Sequence, residues 1–135
     1  MNSSCVFLGT TEKIKEVYGE KLLNRMSAET DIDKNAVFTE DMLKENKETL
    51  RNAVFAFGTW GFPALSVSQI KEYLPNLKYV FYAAGSVKGF ADAYFENGIR
   101  IFSAAAANAV PVAQVTTAQI TLANKGFFQH IMHTK

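Results

Sequence analysis

The sequence predicts a doubly wound α/β fold, a parallel sheet with a helix between each strand and the next. Three observations lead there. Four short runs rich in Val, Ile, Phe or Tyr are bounded by small or polar residues, as strands are. Those runs are almost continuously apolar rather than alternating, which suits strands covered on both faces. Between them lie segments whose apolar residues recur at helical spacing, so strand and helix signals alternate along the chain.

The first strand is "CVFLG" (5–9). A helix follows over 11–26, with Ile14, Val17, Tyr18, Leu22 and Met26 at helical spacing. A weaker strand is expected around Asp31–Phe38, where "DIDKNAVF" is polar enough for a sheet edge. Thr39 caps a helix that contains Met42, Leu43 and Leu50. The next strand is "AVFAFG" (53–58). In "SVSQIKEYLP", Ser66 is an N-cap, Gln69 completes a capping box and Pro75 stops the helix. The strand "YVFYA" (79–83) leads to a helix with Phe90, Ala93 and Tyr94 on one face and Gly98 as its C-cap. After "RIFSA" (100–104) a long helix is expected from 109 to about 130, with Asn108 as N-cap and Pro111 in the first turn. Val112, Val115, Ile120, Leu122, Ala123 and Phe127 give it a broad apolar surface.

Composition narrows the class of function. The 135 residues carry a net charge of +1, so no charge excess points to nucleic acid or a membrane surface. No apolar run approaches the ~18–20 residues of a membrane span. The start "MNSSC" has no basic stretch before an apolar core, and the single Cys5 lies in the first strand as a small core residue. These features lead to the expectation of a cytoplasmic protein. The sequence holds no Gly-x-Gly-x-x-Gly, P-loop, His-Glu-x-x-His or Cys-x-x-Cys motif. His130 and His133 stand far along the chain from the strand ends, so no catalytic residue, cofactor-binding residue or metal ligand is assigned.

In an open parallel sheet, ligands bind beyond the C-terminal ends of the strands. The residues expected there are Thr10 and Thr11, then Gly58-Thr59-Trp60-Gly61, then Ala84-Gly85-Ser86, and then 104–108. Small and hydroxylated residues leave room and offer backbone N–H groups, which suits a small anion. Trp60, between a Thr and a Gly on a loop, reads as a packing lid, because indole has no useful acid–base chemistry. Asn108 caps its helix and also offers an amide to a ligand.

The stretches "AFGTWGFPALS", "LPNLKYVFYAAGSVKGF", "ENGIRIFSAAAANAVPVAQ" and "TTAQITLANKGFF" resemble successive blocks of the D-isomer-specific 2-hydroxyacid dehydrogenases. Asn108 through Ala113 resembles that family's Asn-x-x-x-Val-Ala-Glu helix start, with Gln114 in place of the Glu. The resemblance implies a flavodoxin-like, five-stranded parallel sheet of order 2-1-3-4-5, with a substrate-binding domain over 1–108 and an interdomain helix over 109–135. It implies NAD or NADP as cofactor of the full-length enzyme, bound by a Rossmann domain that this chain lacks. The chain alone is then expected to bind no cofactor and to be inactive. By the same resemblance, backbone N–H groups of the loop Ala84-Gly85-Ser86-Val87 hold the carboxylate of a small 2-hydroxy or 2-oxo acid, and the Asn matching Asn108 touches substrate in some members; Trp60, from its place on the neighbouring strand-end loop, is counted among the substrate-binding residues. Val87 stands where the family often has a second Gly. The uncovered apolar helix leads to the expectation of a homodimer formed by pairing or exchanging it. The alternative reading is a truncated, non-enzymatic module that binds a small acid or a partner protein.

Overall fold

The computed structural model describes residues 4–134. Residues 1–3, part of the stretch read above as lacking a leader, lie outside it. The chain divides into two compact units, Met1–Ala104 and Ala105–Lys135.

The first unit is built on a five-stranded sheet: β1 (Cys5–Leu8), β2 (Val37–Phe38), β3 (Phe55–Gly58), β4 (Tyr79–Tyr82) and β5 (Arg100–Ser103). Their order is β2-β1-β3-β4-β5 and every neighbouring pair is parallel, which is the flavodoxin-like arrangement. Register aligns Leu8 with Gly58, Gly58 with Tyr82 and Tyr82 with Ser103. The C-terminal ends of these strands therefore share one edge.

Five helices belong to this unit: α1 (Thr11–Glu29), α2 (Glu40–Leu43), α3 (Lys47–Leu50), α4 (Val67–Tyr73) and α5 (Ala91–Glu96). The chain runs from β1 outward to β2, then back across the sheet to β3, β4 and β5. Right-handed crossovers in opposite directions place their helices on opposite faces. Alternation along β1 feeds both sides. Val6 and Leu8 join a cluster with Leu43, Leu50, Ile70 and Tyr94, from α2–α5. Cys5 and Phe7 join Ile14 and Leu23 of α1. Cys5 is thus a buried free thiol of the core, as expected from its place in the first strand.

Local chemistry sets the boundaries. Ser66 and Gln69 form the capping box that starts α4: the Ser66 Oγ accepts from the Gln69 amide at 3.3 Å, and Gln69 Oε1 accepts from the Ser66 amide at 2.8 Å. The amide of Gly98, beyond α5, donates to Phe95 O at 2.8 Å. The tyrosine of α5, Tyr94, is wholly buried and donates its hydroxyl to Pro63 O at 3.0 Å.

Four expectations need correction. The strand expected over 31–38 is only Val37–Phe38, because Asp33 takes up the preceding residues in a turn: its carboxylate accepts from the Asn35 amide at 2.8 Å, and its carbonyl from Ala36 at 3.1 Å. The single helix after Thr39 is two short ones, and Thr39 makes no side-chain cap hydrogen bond; Asn46 breaks the run, its side-chain amide donating to Met42 O. The first helix is interrupted at Gly19, whose φ of 68° is not helical. Finally, the sheet is not covered on both faces throughout. Val80 and Tyr82 of β4 are buried, but Phe81 is 36% exposed and Phe102 of β5 is 51% exposed. Within the first unit, α1 packs on that face.

The second unit consists of α6 (Ala105–Asn124) and α7 (Phe127–His133). Here too the structure differs from expectation. The helix starts at Ala105, so Asn108 is not its N-cap and Pro111 lies inside it rather than in its first turn. Alanines 104–107 have the highest helix propensity of any residue and nucleate the helix early. Pro111, lacking an N–H, withholds the bond that residue 111 would give to Ala107. Nor does one helix run on to 130. Gly126, in the left-handed conformation at φ 69°, ends the first helix and begins the second. No residue of either helix is buried.

Candidate functional site

The shared C-terminal edge of β3 and β4 carries the candidate site. Gly58 ends β3 at a point with no room for a side chain: a Cβ there would lie 2.3 Å from the Phe62 ring and 2.7 Å from Leu8 O. The turn continues through Thr59, which is buried and ties the two strand exits together, its hydroxyl donating to Ala83 O at 3.2 Å. The Ala83 amide donates back to Gly58 O at 2.8 Å. Beneath this turn Tyr18 of α1 also donates to Gly58 O, at 3.1 Å; burial pushes its phenol far above the ordinary range, outweighing that hydrogen bond. Tyr18 is therefore a neutral donor and a structural support.

The loop after β4 is pinned at both ends. Ala83 holds the start, as described. At the far end the Val87 carbonyl accepts from the amides of Phe90 at 3.1 Å and Ala91 at 3.0 Å, while Val87 and Phe90 pack against the core. Phe90 stacks into an aromatic group with Phe62, centroids 4.7 Å apart, and Tyr82, 5.1 Å apart. Between these anchors the backbone is left open. Among the described residues, none accepts a hydrogen bond from the amide of Ala84, Gly85, Ser86 or Val87. Ala84 is nonetheless 1% exposed. Buried amides are nearly always paired with protein or water. A run of consecutive unpaired amides on a pinned loop is the kind of backbone that holds a small anion.

Of the residues expected from the sequence, Ala84, Gly85, Ser86 and Val87 form this loop, and Trp60 stands 49% exposed on the adjoining β3 turn. The structure thus brings Trp60 and the loop to neighbouring strand exits. Asn108 belongs to the second unit, in the opening turns of α6. Among the described residues there is no cluster of His, Cys, Asp or Glu suited to a metal ion. Burial pushes the Cys5 thiol upward, against a smaller lowering by Ser4, so Cys5 is a poor nucleophile at neutral pH.

The turn after β1 lies against the turn after β3, the Cβ position of Gly9 being 3.6 Å from Gly61 O, an ordinary contact.

Two concavities were not legible in the sequence. One, about 580 Å³, is lined by Cys5, Asp31, Asp33 and Thr49 and touches neither the Trp60 turn nor the Ala84 loop. Its carboxylates already bond locally, Asp31 to Ser4 and Asp33 to the Asn35 amide. The other, about 460 Å³, lies on the half-covered face of the sheet between α1 and the rings of Phe81 and Phe102.

Comparison with known proteins adds one kind of match. No family model matches the chain, and no curated protein matches it in sequence. Among solved structures, the apo-structure of D-lactate dehydrogenase from Escherichia coli matches it with a TM-score of 0.52 at 17% identity. The match covers 96% of this chain and 40% of that one. At this identity the likeness shows a shared fold alone. No helix among the described residues is long and apolar enough to cross a membrane.

Proposed function

We propose that this chain is the substrate-binding part of an NAD(P)-dependent D-2-hydroxyacid dehydrogenase. The observation that carries the reading is the loop Ala84–Val87, whose unpaired amides sit on a fold shared with D-lactate dehydrogenase. The chain spans 40% of that enzyme's length, so the complete activity is part of the proposal.

In this reading the loop amides receive the carboxylate of a small 2-hydroxy or 2-oxo acid. Main-chain donors held at both ends cost little reorganisation when the anion arrives. Trp60 on the next turn shields the bound acid from water. The nicotinamide cofactor, held by a separate Rossmann domain, supplies the hydride chemistry. This chain binds and orients; proton transfer belongs to residues outside it.

A thermal-shift panel tests the proposal. Pyruvate, glyoxylate and D-lactate should each raise the unfolding temperature of the chain, and NADH should not. Saturable stabilisation by NADH alone, with none from the 2-oxo and 2-hydroxy acids, would overturn it.

A further inference from the structure

Thr59 is 1% exposed, a depth otherwise reached among the described residues by apolar and aromatic side chains. It follows Gly58, the last residue of β3, where the chain leaves the sheet. The turn around it is held by backbone bonds. The Thr59 carbonyl accepts from the Phe62 amide at 3.1 Å, and the Gly58 carbonyl accepts from the Tyr18 hydroxyl and the Ala83 amide. Packing alone would be served by a valine, which has nearly the same shape as threonine. A buried hydroxyl costs desolvation unless a hydrogen bond offsets it, so the partner of this one is informative.

That partner lies at the exit of β4. Register pairs Gly58 with Tyr82, and the Ala83 amide carries the β3–β4 ladder one step further by donating to Gly58 O at 2.8 Å. The next rung is made by a side chain: the Thr59 hydroxyl donates to Ala83 O at 3.2 Å. A trans peptide is planar, and its C=O and N–H point in opposite directions. Holding the Ala83 carbonyl toward β3 therefore turns the Ala84 amide away from it. That amide is the first of the run 84–87 from which no described residue accepts a hydrogen bond. Gly85 comes next, and glycine has the widest backbone freedom of any residue. The entry of the loop is thus fixed by the Ala83–Ala84 peptide rather than by the residues that follow.

We infer that Thr59 is a positioning residue of the carboxylate site: its hydroxyl fixes the Ala83–Ala84 peptide and so aims the Ala84 amide at the bound anion. The inference rests on the reading of Ala84–Val87 as the carboxylate loop, and it adds to that reading a residue outside the loop.

Two substitutions test it. Thr59→Val keeps the shape and removes the hydroxyl; Thr59→Ser keeps the hydroxyl. The first readout needs no ligand: the residual dipolar coupling of the Ala84 N–H in the free 15N-labelled chain. It should change in Thr59→Val and return toward the wild-type value in Thr59→Ser. The second readout is pyruvate affinity, which should fall at least ~10-fold in Thr59→Val and stay within ~3-fold of wild type in Thr59→Ser. If Thr59→Val does not fold, Thr59→Cys, whose thiol is a weak donor, takes its place. A lowered thermal midpoint in Thr59→Val with wild-type pyruvate affinity would overturn the inference and leave Thr59 a stability residue. An unchanged Ala84 coupling in Thr59→Val would overturn it as well. A coupling that responds as expected, in a wild type that binds neither pyruvate, glyoxylate nor D-lactate, would uphold the orienting role of Thr59 and overturn the dehydrogenase reading instead.

Discussion

The two faces of the sheet share the same strands and meet different fates. On one face Leu8, Val80 and Tyr82 lie under α2–α5, and Val80 and Leu8 are wholly buried. On the other, Phe7 is wholly buried under α1, but Phe81 and Phe102, two and three strands away, stand open. Both faces are apolar, so hydrophobic composition does not distinguish them. What distinguishes them is the direction of the crossovers, which allots four helices to one side and one to the other. A strand's sequence records that a face wants cover; the order of strands decides whether the same unit provides it.

Substitutions on the two faces should differ sharply. The largest effect is expected at Gly58→Val, which drives a side chain into the Phe62 ring and the Leu8 carbonyl on the covered face. A loss of ~3 kcal/mol or more is expected from overpacking against backbone. A urea midpoint within error of wild type would contradict that packing.

Next comes a matched pair. Leu8→Ala empties a site with no exposure, at a cost of about 3 kcal/mol. Phe102→Ala, on the open face, should cost about 0.5 kcal/mol or less when measured in dilute monomer. Equal costs in dilute solution would erase the contrast between the faces. A cost at Phe102 that grows with protein concentration would sharpen it, because the face would then be covered by another copy.

The smallest effect concerns acid. Burial raises the Asp31 carboxyl pKa, but hydrogen bonds from the Ser4 backbone and hydroxyl bring it below the ordinary value. A depressed folded pKa contributes stability above the unfolded value of about 3.9, and that contribution is lost as pH falls through the folded value. Asp31→Asn should therefore flatten the acid limb of the stability profile below about pH 4 slightly, since the group is exposed. An unchanged acid limb would show that the Ser4 bonds contribute nothing.

The sequence made the covered face more legible than the open one. The capping box at Ser66 and Gln69 is a local code, and it formed as read. The apolar runs at β1, β3, β4 and β5 marked strands because each is short and bounded by small or polar residues. The start of α6 was misread because Asn108 is a good cap in isolation, whereas the alanines before it extend the helix. The bareness of Phe81 and Phe102 left one local trace, the polar ends Arg100 and Ser103 of β5. At the candidate site, small residues at 84–86 pointed to the loop. Its pinning by Thr59, Val87 and Phe90 depends on contacts between distant parts of the chain.

The central claim is that the amides of Ala84–Val87 hold a carboxylate. Its most direct measurement is an amide chemical-shift titration of the 15N-labelled chain with pyruvate, run in parallel on Gly85→Val. Gly85 is half-buried on the loop, and valine there adds a branched side chain among the proposed donors. In the wild type, saturable shifts should centre on 84–87 and spread to Trp60. In Gly85→Val the affinity should fall at least ~10-fold, about 1.4 kcal/mol, while the thermal midpoint stays close to that of the wild type. Shifts centred elsewhere in the wild type, or equal affinity in the two proteins, would contradict the claim.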